Sequence, residues 1–136
     1  MNNTRFATAI HILTLLATFP DEWLSSDWIA GSININPVIV RKELGILQNT
    51  GLVISRKGKE GGSKLNKPGH EISLAEIYLS VKNSEVLGKK NVSPNPKCPI
   101  GKDINKNLAK LFAETDQLVT DSLRHKTLKD FVKQFH

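Results

Sequence analysis

A single cysteine stands in 136 residues. One thiol excludes an internal disulfide framework and suits a reducing compartment. No apolar run approaches the length that a bilayer crossing needs, so no membrane partner is expected. A signal-peptide pattern is missing too, because Asp21 and Glu22 follow a segment that mixes polar and apolar residues. The expected location is the cytoplasm. Catalytic patterns are equally scarce. No serine, histidine and carboxylate arrangement stands out and no G-x-x-x-x-G-K-[ST] loop occurs. Gly58-Lys59-Glu60-Gly61-Gly62 follows a strand pattern but opens no helix. His70, His125 and His136 are scattered, and His11 lacks the second ligand at i+4 that a helical metal motif needs. An enzyme is therefore not expected, nor is a catalytic residue, metal or cofactor. Trp23 and Trp28 form no aromatic repeat for base stacking and read as core or rim anchors.

What is present is a basic chain. Its net charge is +6 and its pI near 9.6. That balance favours an anionic partner without choosing between nucleic acid and a membrane surface. Apolar residues make up 39% of the chain, enough for the core of one domain with an appended element.

The stretch from Leu24 to Asn66 carries the most information. Ser25 or Ser26 can cap a short helix carrying Trp28, Ile29 and Ala30, and the polar break Gly31-Ser32-Ile33-Asn34 is expected to end it. Asn36 then reads as an N-cap with Pro37 at the first helical position, where proline loses no hydrogen bond. This second helix runs to about Asn49 and stops at Gly51. Val40, Leu44 and Leu47 fall at i, i+4 and i+7 and form its buried stripe. Val38, Arg41, Lys42 and Gly45 fall on another face, short and basic, as suits a helix lying in a major groove. Leu52-Val53-Ile54-Ser55-Arg56 is a β-branched run, Lys57 to Gly62 a flexible basic turn, and Ser63 to Asn66 can pair back. A helix-turn-helix followed directly by a basic hairpin is a winged helix, whose wing lies along phosphates or enters the minor groove.

The rest of the chain is mostly helical. Thr4 to about Phe19 places Phe6, Ile10, Leu13 and Ala17 at helical spacing, with Leu16 widening the stripe and Pro20 ending it. Ser73 and Glu76 form a capping box, with Ile72 and Ile77 as its hydrophobic staple, opening a helix that fades near Asn83. Asn83 to Gly101 is irregular and rich in proline and asparagine, and it holds Cys98. Loops of that length are mobile or functional. Lys102 to about Leu123 is the longest helix. Its seam is Leu108, Leu111, Thr115, Leu118 and Ser122, widened by Phe112 and Val119. Such a seam needs another surface, either its own domain or a second copy. A last short helix, capped by Thr127 with Asp130 three residues on, packs Leu128, Phe131, Val132 and Phe135.

Several of these segments occur in a known order. They are Arg5-Phe6-Ala7, Ile29-Ala30, Asn36 through Arg41, Leu47, Gly51-Leu52-Val53, Gly58 through Gly62, and Asn95-Pro96-Lys97-Cys98-Pro99-Ile100-Gly101-Lys102. Together they resemble the IscR/NsrR/CymR-type winged-helix regulators of bacteria (the Rrf family), in its YwnA-like branch. The resemblance implies a homodimer whose long helices cross. Cluster-binding members hold iron and sulfide through a set of cysteines in this region. With Cys98 alone that feature does not carry over, because a cluster takes about four ligands.

The expected fold is mainly α with a small β wing. A winged helix-turn-helix DNA-binding domain spans residues 1–82, a loop with the single cysteine 83–101, and a dimerisation helix with a C-terminal helix 102–136. The expected partners are double-stranded DNA and a second copy of the chain, and the expected function is a homodimeric, sequence-specific repressor. The alternative is a winged helix used only as a protein-interaction module. Candidate DNA-binding residues are Asn36, Pro37, Val38, Arg41, Lys42, Arg56, Lys57 and Lys59. Arg41 reads a base edge or, failing that, meets a phosphate. The input is oxidation of Cys98, a small ligand near its loop, or a protein partner. Lys97, Lys102 and the start of the next helix would favour the Cys98 thiolate. The competing expectation is a cysteine buried as a small apolar residue.

Overall fold

Helix α1, Arg5–Thr18, runs through the middle of the molecule. Ala9, Ile12, Leu13 and Leu16 are fully buried, so α1 is covered on more sides than the single stripe in its sequence implies. The computed structural model describes residues 4–135, so residues 1–3 of the expected first unit and His136 lie outside it. Around α1 the chain forms α2 (Ser26–Ile33), α3 (Pro37–Asn49), β1 (Val53–Arg56), β2 (Gly62–Leu65), α4 (Leu74–Val81), α5 (Ile104–Arg124) and α6 (Leu128–Val132). Among the described residues no helix is long and apolar enough to cross a membrane.

Local signals set most boundaries. The Ser25 hydroxyl accepts the Trp28 amide and caps α2. The expected break at Gly31 does not end this helix. It continues through Ile33 and stops at Asn34, whose φ of 64° is the left-handed conformation that asparagine tolerates. Helix α3 begins where Asn36 Oδ1 accepts the Val38 amide at 2.8 Å, and Gly51 follows its end with φ 83°. Strands β1 and β2 are antiparallel, pairing Val53 with Leu65, Ile54 with Lys64, Ser55 with Ser63 and Arg56 with Gly62. Leu24 joins them from the other side, exchanging backbone hydrogen bonds with Ser63 at 2.9 and 3.1 Å.

The core is continuous from α1 to α6. Ile72, Ile77 and Leu128 are fully buried in it, and burial of such a side chain stabilises by about 1.5–3 kcal/mol. Two capping boxes meet at its edge. Ser73 and Glu76 exchange side-chain-to-backbone bonds at α4, and Thr127 and Asp130 do so at α6. Between them the Leu128 amide donates to the Ile72 carbonyl and the Leu74 amide to the Lys126 carbonyl, both at 2.8 Å. Burial works against the Glu76 carboxylate, but Lys67 and the Ser73 groups outweigh it and hold the carboxyl below its ordinary value.

Helix α5 has two faces. Phe112, Asp116 and Thr120 are buried against the protein's own domain, where α5 meets α4. Phe112 therefore does not widen the Leu108–Ser122 seam. One residue along, Leu111 is 50% exposed, and Leu118 is 71% exposed. Phe135, expected to pack with α6, is exposed, with its ring centroid 5.5 Å from that of Phe131.

Candidate nucleic-acid interface

Helix α3 is held from beneath. Val40, Leu44 and Leu47 enter the core, and Glu43 beside them is 3% exposed. The Arg5 Nε–H donates to Glu43 Oε1 at 3.1 Å, so α1 supports α3 through an ion pair as well as through packing. The opposite side of α3 faces solvent. Val38, Ile39, Arg41, Lys42 and Gly45 are all exposed there, and Ile39 adds an apolar group that the expected recognition face lacked. Arg41 Nη1 lies 3.9 Å from Asp27 Oδ1, a contact between exposed groups that holds the guanidinium only loosely.

The wing root is built more tightly. The Arg56 guanidinium lies over the Trp23 ring at 4.6 Å, and Lys64 Nζ lies 4.9 Å from the same ring centroid. Arg56 Nη2 also donates to the Glu60 carbonyl at 2.5 Å, and the Ser55 and Ser63 hydroxyls meet at 2.9 Å. Two glycines permit this closeness. A Cβ on Gly61 would stand 2.2 Å from the Arg56 carbonyl oxygen, and one on Gly62 would stand 2.6 Å from that of Leu24.

A cleft of about 510 Å³ separates α3 from the wing. Arg41, Gly45 and Gln48 line one wall and Ser55, Arg56 and Lys57 the other, with Ser25 and Ser26 at one end. Three of the sequence-derived candidates, Arg41, Arg56 and Lys57, are thus brought together. Asn36, Pro37, Val38 and Lys42 belong to α3 and its cap but stand outside the cleft lining. Lys59 lines a neighbouring trough of about 650 Å³ with Phe19, Trp23 and Trp28. Ser25, Ser26, Gln48 and Ser55 were not among the candidates. Gln48 was legible, standing three residues beyond Gly45 on the same helix. An opening with cations on both walls can take a phosphate backbone and leave side chains of α3 free to reach base edges.

Cys98 lies on a different element, the turn before α5, and it is exposed. The expectation of a buried apolar cysteine is thereby overturned. Its thiol sits below the ordinary value because the backbone amides of Gly101 and Ile100 stabilise the sulfur anion. Those two amides, and not the lysines flanking the turn, are the cause. The turn itself is fixed by the Cys98 amide donating to the Asn95 carbonyl at 3.2 Å and the Lys102 amide to the Cys98 carbonyl at 2.9 Å.

A profile of the Rrf2 family, described as an iron-dependent transcriptional regulator, matches residues 2–134. YwnA of Bacillus subtilis (strain 168), named as an HTH-type transcriptional regulator, is 42% identical over 130 residues, which is 96% of each chain. A crystal structure described as that of a DNA-binding protein superposes with a TM-score of 0.74 at 38% identity, covering 93% of this chain and 97% of the other. CymR, described as the global cysteine regulator of B. subtilis, has the same fold, with a TM-score of 0.70 at 20% identity over 98% of this chain and 97% of its own. An iron site does not fit the residues present. Cys98 is the sole cysteine, and among the described residues no three histidine, cysteine or acidic side chains converge.

Proposed function

Because the chain belongs to the Rrf2 family of winged-helix transcriptional regulators, we propose that it acts in the cytoplasm as a homodimeric, sequence-specific DNA-binding repressor. The observation that carries this reading is the cleft with Arg41 on the α3 wall and Arg56 and Lys57 on the wing wall. Residues 1–82 read the duplex. Residues 102–136 pair the two copies through Leu108, Leu111, Thr115, Leu118 and Ser122, while α6 buttresses α1. The exposure of Leu111 and Leu118 supports the pairing, since exposed leucines at helical spacing on a long helix mark a contact surface. Two α3 helices related by a twofold axis then meet successive major grooves.

Arg41 reads guanine through two acceptors, Val38 lies against a thymine methyl or sugar, and Asn36, Pro37 and Lys42 sit near the backbone. Arg56, Lys57 and Lys59 meet phosphates. Selection of duplexes from a random pool tests the assignment. Arg41→Ala should relax preference at one symmetric pair of positions by about 1–3 kcal/mol, while Lys57→Ala should weaken all sequences alike. Equal affinity of the wild type for random and selected duplexes at physiological salt overturns the reading and favours a protein-interaction module.

The input to this switch is oxidation of Cys98. Its exposure and the two amides that favour the thiolate support that role. Attack on a peroxide forms an S–O bond, breaks the O–O bond, releases hydroxide and leaves a sulfenic acid. The bulkier, polar group then stands in the turn before α5.

A further inference from the structure

We infer that Asp116 is a positioning residue that locks the angle between the DNA-reading unit and the long helix α5, and so sets the distance between the two α3 helices of a dimer. This inference rests on the dimeric reading given above. Asp116 is 6% exposed, on the inner face of α5. Its Oδ1 accepts the Tyr78 hydroxyl at 2.7 Å and the Val86 amide at 3.2 Å, and its Oδ2 accepts the Lys82 ammonium. Tyr78 and Lys82 are one turn apart at the end of α4, and Val86 lies early in the loop that leads to Cys98. One carboxylate thus ties together the last helix of the reading unit, the loop and the pairing helix.

A stabilising contact alone does not account for this choice of residue. Burying the Asp116 carboxylate and partly burying the Lys82 ammonium carries a desolvation cost that well-packed apolar side chains avoid, so such a pair contributes little net stability. What they add is direction. Phe112 and its neighbours resist separation of α4 and α5 but tolerate a small slide or rotation. Three charge-assisted donors on one carboxylate tolerate neither. The lever is long. Asp116 stands about 18 Å from one end of α5 and about 12 Å from the other, so a tilt of roughly 10° at the joint moves those ends by about 2–3 Å. In a twofold dimer both copies shift, for a combined change of about 4–6 Å against the rise of one base pair, about 3.4 Å, so a loosened joint changes which half-site spacing fits.

The effect on Tyr78 supplies an independent signature. Burial, then the Asp116 hydrogen bond and charge, then Glu85, push its phenol up to about 12. Tyr78 is the only tyrosine of the chain, so phenolate absorbance reports this joint alone.

The test uses the full-length Asp116→Asn variant and duplexes carrying one half-site or two at graded spacings. In the variant, phenolate absorbance should appear nearer the ordinary tyrosine value of about 10, showing the joint altered. Affinity for a single half-site should stay within about twofold, and the advantage of the preferred spacing over its neighbours should fall about tenfold. Tyr78→Phe, which removes one donor and keeps the ring, should show the same loss of spacing preference to a smaller degree and covers a failure of Asp116→Asn to fold. Variants that keep the wild-type spacing preference overturn the inference, as does an equal loss on single and paired half-sites. A wild type without any spacing preference overturns the dimeric reading and the inference together.

Discussion

Arg56 and Trp23, 33 residues apart in sequence, meet with the guanidinium carbon over the indole ring, 4.6 Å from its centroid. Lys64 approaches the same ring, so a single indole orients two cations of the wing. Each such contact is worth about 0.5–1 kcal/mol at an exposed site. Trp23→Leu should therefore lower affinity for DNA roughly tenfold on selected and random duplexes alike, leaving the order of preferred sequences unchanged. Titration of both duplex classes by the variant checks this. Undiminished affinity would mean that the wing cations need no support.

Stability should respond to pH at both extremes through one joint. Burial opposes the charge of Asp116, but Lys82, Tyr78 and the Val86 amide outweigh it and hold the carboxyl below its ordinary value. Its contribution is thus present above the ordinary carboxylate range and is lost as pH falls through the lowered value. Tyr78 behaves in the opposite sense. Its contribution is complete below about 10 and is lost as pH rises through about 12. Urea midpoints measured across pH should show both limbs in the wild type. Tyr78→Phe should flatten the alkaline limb and Asp116→Asn the acid one. A wild-type alkaline limb retained in Tyr78→Phe would assign it elsewhere.

Two leucines near the C-terminal end should separate folding from pairing. Leu128 is fully buried, and Leu128→Ala should cost about 2–5 kcal/mol in urea unfolding. Leu118 is 71% exposed, so Leu118→Glu should leave the fold intact while shifting sedimentation from dimer to monomer. A dimer unaffected by a charge at 118 would move the pairing surface off this seam.

Cys98 gives a prediction with an internal control. Brief exposure to peroxide should weaken operator binding by wild type and leave Cys98→Ser unchanged. The reaction should slow as pH falls through the lowered thiol value, because the thiolate is the nucleophile. Oxidised wild type that binds as tightly as reduced protein refutes the sensor role.

Much of what rests on bonds between near neighbours was legible in the sequence, although the left-handed stop at Asn34 and the Ile100 and Gly101 amides beside Cys98 were not. Asn36 with Pro37, Ser73 with Glu76, Thr127 with Asp130 and the glycines of the wing follow local rules, and each forms as those rules require. The distant pairings were not legible. Arg5 with Glu43 and Tyr78 with Asp116 are each separated by 38 positions. A clue was nevertheless present, since Glu43 falls on the stripe of Val40, Leu44 and Leu47, and Asp116 lies midway between Phe112 and Thr120 at helical spacing. An acid on an inner stripe reads as an interruption of the apolar pattern, because isolated carboxylates are rarely buried. Only the fold shows that a cation waits opposite. The seam of α5 was hard to read for another reason. Leu111 and Phe112 are adjacent, so one amphipathic pattern served two partners at once.

The closure of Ile72 on Leu128 also governs the order in which the protein matures during translation. The recognition helix, the wing and the cap of α4 all emerge from the ribosome before residue 128 does. Until it arrives, the floor beneath α1 is open, and Ile72 and its neighbours face water. Ribosomes add roughly 5–20 residues per second, so this interval lasts on the order of seconds. A nascent chain in that interval carries every residue proposed to read DNA without the frame that holds them in place. Synthesis interrupted within α5 is expected to leave apolar surface exposed, of the kind that chaperones and proteases recognise.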